Sequence, residues 1–193
     1  MRTVQRDLLV LSSLLLLGTL ALTGCTPEPE PQAPQASETT APTDAPVFAS
    51  DEEALAAATE AYAAYLAAGD EAEESGSPSR ELFLSLSSGE AHKQNLSVAA
   101  SFDDQGWKQV GSTSFDSMAI QSTKITVDGE WEIKVYVCLD VTKSDIVDSL
   151  GTSVSKTDRP LRLPLEVVFI GTEQSSNYLQ IAESRVWSGS NFC

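Results

Sequence analysis

Few residues in this 193-residue chain are able to carry acid–base chemistry. His92 is the only histidine, and neither a nucleophile nor an orienting carboxylate stands at a recognisable spacing from it. A histidine in this setting is either a pocket base or a partly buried residue with a satisfied hydrogen bond, and the pattern favours the second interpretation. We therefore keep His92 as a candidate pocket residue rather than as a catalytic one.

Two aspartates on predicted strands, Asp116 and Asp140, are the other candidate bases. A carboxylate in an apolar pocket has its pKa raised by desolvation, which suits it to proton abstraction. Asp140, however, shares one face of its strand with Glu132 and Lys134, opposite an apolar stripe, so it is predicted to face solvent. No catalytic constellation is recognisable around either aspartate. The chain is accordingly predicted not to be an enzyme.

The amino-terminal segment carries the signature of an exported, lipid-modified protein. Arg2 and Arg6 precede an uncharged apolar run over 8–22, which ends in Leu22-Thr23-Gly24-Cys25. The run is shorter than the roughly 20 residues of a spanning helix and suits the apolar region of a signal peptide. The last four residues resemble the bacterial lipobox. That resemblance implies a lipoprotein signal peptide over 1–24, cleavage before Cys25, and a diacylglyceryl group with palmitate-type chains on Cys25. The alternative is an uncleaved anchor.

Cys138 and Cys193 remain once Cys25 is assigned to lipid. An even pair of cysteines in an exported chain predicts one disulfide, and the alternative is two unrelated buried thiols. With the cysteines so engaged and a single histidine, the chain lacks a zinc-binding set. We predict no metal and no cofactor.

The charge balance narrows the choice of partners. Lys and Arg number 12 and Asp and Glu 28, for a net charge of −16. Residues 1–24 hold two arginines and one aspartate, so the processed chain has 10 basic and 27 acidic residues. Such a chain is repelled by the phosphates of nucleic acid and by anionic lipid surfaces. We expect no nucleic-acid partner, and attachment to the extracytoplasmic face of the cell membrane through lipid rather than charge.

Composition divides the processed chain into a tether and a domain. Six of the nine prolines lie in 26–47, a segment without aromatic residues. Such a segment cannot bury enough apolar surface to order itself, so 25–47 is predicted to be a disordered tether. Residues 48–193 are long enough for one domain with a core of its own.

Helical spacing predicts three helices at the start of that domain. Ser50 as N-cap and Glu53 at N3 form a capping box that begins the first, and Gly69 is placed at the C′ position that ends it. Pro78 begins a short second helix, and the third is expected from 89 to 105, ending at Gly106. The inward side chains are expected to be Leu82, Phe83 and Leu86 in the second helix and Ala91, Leu96, Ala99 and Phe102 in the third.

From residue 107 the apolar residues no longer follow a helical spacing and instead recur at every second position. Extended segments over 107–111 and 115–127 lead to Asp128-Gly129, a strong hairpin turn signal, and then to a return strand over 131–141. Residues 143–160 are predicted to be a polar excursion with one helical turn over 145–150, and 163–170 and 178–187 a second hairpin. Helices followed by antiparallel strands predict an α+β domain.

This order of elements resembles the nuclear transport factor 2-like (NTF2-like) cone, which is also the layout of SnoaL-type cyclases. The resemblance implies N-terminal helices packed on a curved antiparallel sheet, and it includes no catalytic motif. Shorter stretches resemble uncharacterised lipoproteins of high-GC Gram-positive bacteria; they are 48–55, 106–107, 111–117, 135–141, 159–160 and 187–193. Neither resemblance assigns a function.

The function predicted from the sequence is binding rather than catalysis. His92, Trp107, Trp131 and Tyr136 are candidates for lining a cone pocket, although ordinary packing of the aromatic residues is the favoured alternative. We predict an extracytoplasmic binding or protein-interaction module, with an envelope protein or a second copy as partner. A carrier or sensor of small apolar ligands is the alternative, and an isomerase- or cyclase-like enzyme comes third. A flat, apolar, exposed sheet face would favour the interaction module.

Overall fold

The computed structural model describes residues 48–72, 77–172 and 178–193. The predicted signal peptide, the lipobox with Cys25 and the tether lie outside the described residues. Three helices come first, α1 Asp51–Asp70, α2 Pro78–Ser85 and α3 Gly89–Gln105. They are followed by β1 Lys108–Gly111, β2 Ser114–Ile125, β3 Glu130–Asp140, β4 Ser144–Val147, β5 Arg162–Thr172 and β6 Gln180–Val186. The predicted fold class, α+β with N-terminal helices packed on an antiparallel sheet, is confirmed.

The main sheet has the strand order β2-β3-β5-β6, and every neighbouring pair is antiparallel. The Asp128-Gly129 turn between β2 and β3 is confirmed, since Thr126 N donates to Glu130 O at 2.8 Å and Gly129 has a φ of 76°. Register shifts interrupt the β2–β3 ladder between Asp116 and Ala119. Bulges of this kind bend a strand and increase its twist.

A separate ribbon, β1 paired with β4, corrects the expectation of a helical turn over 145–150. Ile146 pairs with Gln109 in an antiparallel register instead. Gly111 permits this approach: its φ is +82°, and a Cβ there would lie 2.0 Å from the carbonyl oxygen of Lys143. The backbone continues the contact, because Ser112 N donates to Lys143 O at 3.2 Å. The pairing partner is distant along the chain, so local sequence did not reveal it.

The core lies between α1 and one face of the main sheet. Its fully buried side chains include Tyr62 from α1 and the alternate residues Ile133, Val135 and Val137 of β3. Complete burial of each such aliphatic side chain contributes about 1.5–3 kcal/mol. Strand β5 adds Val167 and Phe169 on the same face. The predicted apolar stripe of the β3 strand is therefore confirmed.

The start of α1 is as predicted, whereas its end is not. Ser50 Oγ accepts from Glu53 N at 3.3 Å, and Glu53 Oε2 accepts from Ala49 N at 2.6 Å. The helix continues through Gly69 to Asp70, so the prediction of Gly69 as the C′ residue is wrong. A Cβ at Gly69 would lie 3.1 Å from the Phe83 ring, which shows that glycine here permits α2 to approach α1.

Two of the leucines predicted to face inward are exposed. Leu82 of α2 is 54% exposed and Leu96 of α3 is 46% exposed, so both expectations are wrong. On α2 the buried position belongs to Arg80, and on α3 the only buried side chain is that of Ala91. Among the described residues, no helix combines the length and apolarity needed to cross a bilayer.

Candidate functional site

A cavity of about 610 Å³ separates α3 from α1 and from one end of the sheet. Its wall on the α1 side consists of Tyr62, Tyr65, Leu66, Gly69 and Asp70, and α2 adds Arg80 and Phe83. The sheet contributes Leu139, Leu165 and the end of β6, Ser184 to Val186. Its volume falls within the range of about 300–1,000 Å³ that is typical of small-molecule sites.

Helix α3 presents one continuous face to the cavity. The lining residues recur at spacings of three and four, which is one side of an α-helix, and they are Ala91, Gln94, Asn95, Val98, Ala99 and Phe102. Two of the six are alanines, at positions where a helix packed directly on a sheet would need larger side chains to fill the space. The gap therefore follows from the sequence of this helix face.

Aromatic rings form the wall opposite α3. Tyr62 and Tyr65 stack with centroids 6.2 Å apart, and the Tyr65 ring lies 4.9 Å from that of Phe83. Burial is the largest influence on both phenols, and it raises the pKa of Tyr62 and of Tyr65 above the ordinary value. Both hydroxyls are therefore protonated at neutral pH and present no charge to the cavity.

Asn95 is a half-buried polar residue among these apolar side chains. Its Oδ1 accepts a hydrogen bond from the Tyr65 hydroxyl at 3.0 Å. Its Nδ2 is buried and has no hydrogen-bond partner in the described part of the chain. A buried donor without a partner costs about 1–3 kcal/mol, so a bound polar group within reach of this amide would be stabilised.

The charged groups at the rim of the cavity are engaged with protein partners. Asp70 accepts from Gln109 Nε2 at 2.6 Å, from Thr113 N at 2.9 Å and from Thr113 Oγ1 at 2.5 Å. Arg80 Nη1 contacts both carboxylate oxygens of Asp103, at 2.8 and 2.9 Å, and so ties α2 to the end of α3. The cavity is thus suited to holding a mainly apolar molecule.

The four residues that the sequence suggested for a pocket lie in different parts of the described structure. None of the four lines the cavity. His92 is half-buried beside α2, with Nδ1 3.0 Å from Leu84 O and 3.2 Å from Ser87 Oγ. Trp107 meets Phe102 edge to face at 6.2 Å. Trp131 is buried in the core, and Tyr136 lies on the opposite face of the sheet.

The predicted disulfide between Cys138 and Cys193 is present in the structure. It fixes the segment after β6 on the outer face of the sheet, the face turned away from α1. There the ring of Tyr136 meets Trp187 at 4.9 Å and Phe192 at 5.8 Å. The aromatic residues on this face therefore pack against the C-terminal segment of the same chain.

Ion pairs occupy much of the rest of the outer face. Arg162 on β5 bridges Asp116 at 2.8 Å and Asp140 at 2.9 Å, while Arg185 contacts Glu166 at 3.4 Å. The Arg162 hydrogen bond is the main cause that lowers the pKa of Asp116, whereas bonding to Thr142 is the main cause for Asp140. Both aspartates are therefore ionised ion-pair partners on the outer face. A flat apolar face, the expected mark of an interaction module, is not what these strands present.

The inward side of α3 carries a pattern that could have predicted the cavity. The stripe of Ala91, Asn95 and Ala99 combines small and polar side chains on the inward side of α3, next to three aromatic residues of α1 and α2. Small residues opposite aromatic rings leave space between the helices, and hydrophobic periodicity alone does not reveal such space.

Comparison with known proteins gives structural neighbours but no family. No protein-family model and no curated protein matches the chain. The intermembrane space region of the chloroplast protein ARC6 has a TM-score of 0.49 at 14% identity, over 70% of this chain and 97% of that one. A periplasmic fragment of TraM has a TM-score of 0.45 at 13% identity, over 72% and 100%. A protein from Catenulispora acidiphila in complex with S-DNPA has a TM-score of 0.40 at 14% identity, over 68% and 90%. Similarity at this level establishes neither a shared family nor a shared function.

Proposed function

We propose that this chain is an extracytoplasmic lipoprotein whose folded domain binds a small, mainly apolar molecule in the cavity beneath α3. The observation that carries the proposal is the cavity itself, about 610 Å³ in volume and walled by rings on one side and by small residues on the other. Specific pockets of this kind combine an apolar lining with a few polar groups. Here the polar group is the pair formed by Asn95 and Tyr65.

We favour binding over catalysis because the carboxylates near the cavity are already hydrogen-bonded to protein groups. Asp70 is held by three donors from two residues, and Asp103 by the guanidinium of Arg80. A general base needs a carboxylate or imidazole free to meet a substrate proton. His92, the remaining candidate base, lies off the cavity.

The anchor is proposed from the sequence alone. Lipid on Cys25 would hold the domain at the extracytoplasmic face of the cell membrane, and two acyl chains suffice for stable attachment. The disulfide supports an oxidising compartment, in which such bonds persist.

Association with an envelope protein or with a second copy is a second candidate, favoured by the opening of the cavity. Val98 is 48% exposed and Val186 63% exposed, and both line the cavity. An apolar side chain of a partner could occupy the same opening as a small ligand.

Mass spectrometry of the full chain purified from its own host in a mild neutral detergent tests both parts of the proposal. The N-terminal peptide is expected to begin at Cys25 and to carry the mass of a diacylglyceryl group. Unfolding in organic solvent is expected to release a small apolar molecule that purification blanks lack.

Two results would contradict these expectations. An unprocessed N-terminus refutes the lipid anchor. Absence of any released molecule, together with no affinity for a neutral apolar dye, refutes the ligand site. A crosslinked protein complex that is lost in Val98→Glu would instead support the second candidate.

A further inference from the structure

A second cavity, of about 470 Å³, lies beside the β1–β4 ribbon and is lined by basic side chains. Lys143, Lys156 and Arg159 contribute to its wall, and Asp145 is the one carboxylate there. Five hydroxyl side chains complete the polar lining, among them that of Thr157. In a chain with a large excess of acidic residues, this concentration of positive charge is unusual.

These bases differ from most others in lacking an acidic partner. Within 48–72, 77–172 and 178–193, ion pairs engage Arg80, Lys93, Lys124, Lys134, Arg162 and Arg185. Over the same ranges Lys143, Lys156 and Arg159 form no ion pair, and neither does Lys108, which lies outside the cavity. Three of the four bases without ion pairs thus converge on one cavity.

Backbone contacts around the cavity fix the Arg159 side chain and the main chain at the two lysines. Arg159 Nη2 donates to Ser144 O at 2.5 Å, and Arg159 N donates to Lys156 O at 3.2 Å, which closes a turn between the two bases. On the other side, the approach of Gly111 fixes the backbone of Lys143. The fold therefore fixes the Arg159 guanidinium and the backbone from which the two lysine side chains extend.

Asp145 does not cancel this charge. Its carboxylate accepts from Ile146 N at 2.8 Å. Hydrogen bonds from Ser155 and Ser153 are the largest causes that lower its pKa, ahead of the nearby charge of Arg159. Three positive groups and one negative group leave the lining with an excess of two positive charges.

We propose that this cavity binds a phosphate group carried by a small polar molecule. A guanidinium donates two parallel hydrogen bonds to an oxyanion, an ammonium group supplies a compact charge, and the Thr157 hydroxyl adds a further donor. The cavity exceeds the size of a free phosphate and so accommodates a polar body attached to it. The acidic remainder of the chain repels anions at long range, so binding depends on these close contacts rather than on steering.

Calorimetric titration of the full chain in neutral detergent tests the site, with ionic strength held constant by sodium chloride. Three probes are used, inorganic phosphate, glycerol 3-phosphate and glycerophosphoglycerol. We expect saturable binding of at least one and a matching rise in Tm, because a ligand that binds only the folded state stabilises it. Preference for the monoester indicates a free phosphate ester, and preference for the diester indicates a lipid headgroup.

Substitutions distinguish a specific binding site from nonspecific electrostatic attraction. Lys143→Gln and Lys156→Gln are each expected to weaken binding about tenfold, in line with the worth of a charged hydrogen bond. Lys108→Gln removes an equal charge from the same ribbon outside the cavity and is expected to change affinity less than twofold. The proposal is overturned if no probe binds beyond the chloride control, or if Lys108→Gln weakens binding as much as the two cavity variants.

Discussion

Ala99→Leu tests whether the space beneath α3 is real and whether it is the binding site. Ala99 is half-buried on the cavity face, and the neighbouring Ala100 is exposed on the other side of the same helix. Leucine adds three carbon atoms, each worth about 0.8 kcal/mol when fully buried. Because the cavity is open on one side, we expect about half of this stabilisation. The loss of rotamer freedom of the leucine side chain offsets about 0.5–1 kcal/mol of it. We expect the free energy of unfolding to stay level or rise by up to about 1 kcal/mol.

The same substitution should damage binding. A leucine at this position extends into the cavity from the α3 face, so affinity for a neutral, environment-sensitive dye such as Nile red is expected to fall about tenfold or more, which corresponds to about 1.4 kcal/mol. Urea denaturation and dye fluorescence measure the two effects. Ala100→Leu is the matched control and should change stability by less than about 0.5 kcal/mol and leave the dye affinity intact.

Two outcomes would refute this reasoning. In a filled core, added carbons cost about 1–3 kcal/mol, so a destabilisation of that size in Ala99→Leu means that the space is absent. Unchanged dye binding in a stable Ala99→Leu variant means that the dye, and by extension an apolar ligand, occupies another place.

Three further predictions concern the contacts that surround the two cavities. Reduction of the disulfide, which joins residues 55 positions apart, should lower the unfolding free energy by up to about 4 kcal/mol in urea titrations with and without a thiol reductant. Asp103→Ala removes one carboxylate that the buried Arg80 contacts and should cost about 1–2 kcal/mol, with Asp104→Ala as a near-neutral control in the same assay. The Arg162 hydrogen bond lowers the folded-state pKa of Asp116, so its stabilisation is present above the unfolded pKa of about 3.9 and disappears as pH falls through the folded value. Denaturation curves from pH 7 to pH 3 should therefore show a smaller loss of stability in Arg162→Met, and an identical acid profile would contradict this origin.

Local patterns in the sequence predicted the elements well where each pattern has one physical cause. The capping residues Ser50 and Glu53, the stop at Gly106 and the turn at Gly129 all depend on backbone requirements within a few residues. The two faces of β3 were equally recognisable from local sequence, since apolar and polar residues alternate along the strand with a period of two. These features were predictable because no distant residue decides them.

Features that depend on distant partners were not predictable in this way. Leu96 and Val98 are apolar, yet both are exposed, because burial depends on which side of α3 packs against the rest of the fold. Arg80 occupies a buried position where Asp103, 23 residues along the chain, supplies a charge partner. Strand β4 forms because β1 lies beside it, which hydropathy over 144–147 does not reveal. The cavity likewise depends on how elements that are distant in the sequence pack together.

The bond between Cys138 and Cys193 closes the last part of the chain into a covalent ring that contains the whole of β5 and β6. A protease that cuts once anywhere within this ring leaves two pieces that remain joined, and both hairpin strands stay attached to β3. Clipped molecules would therefore run as intact on non-reducing gels and separate only after reduction. One cut inside the ring therefore does not release a fragment of the domain.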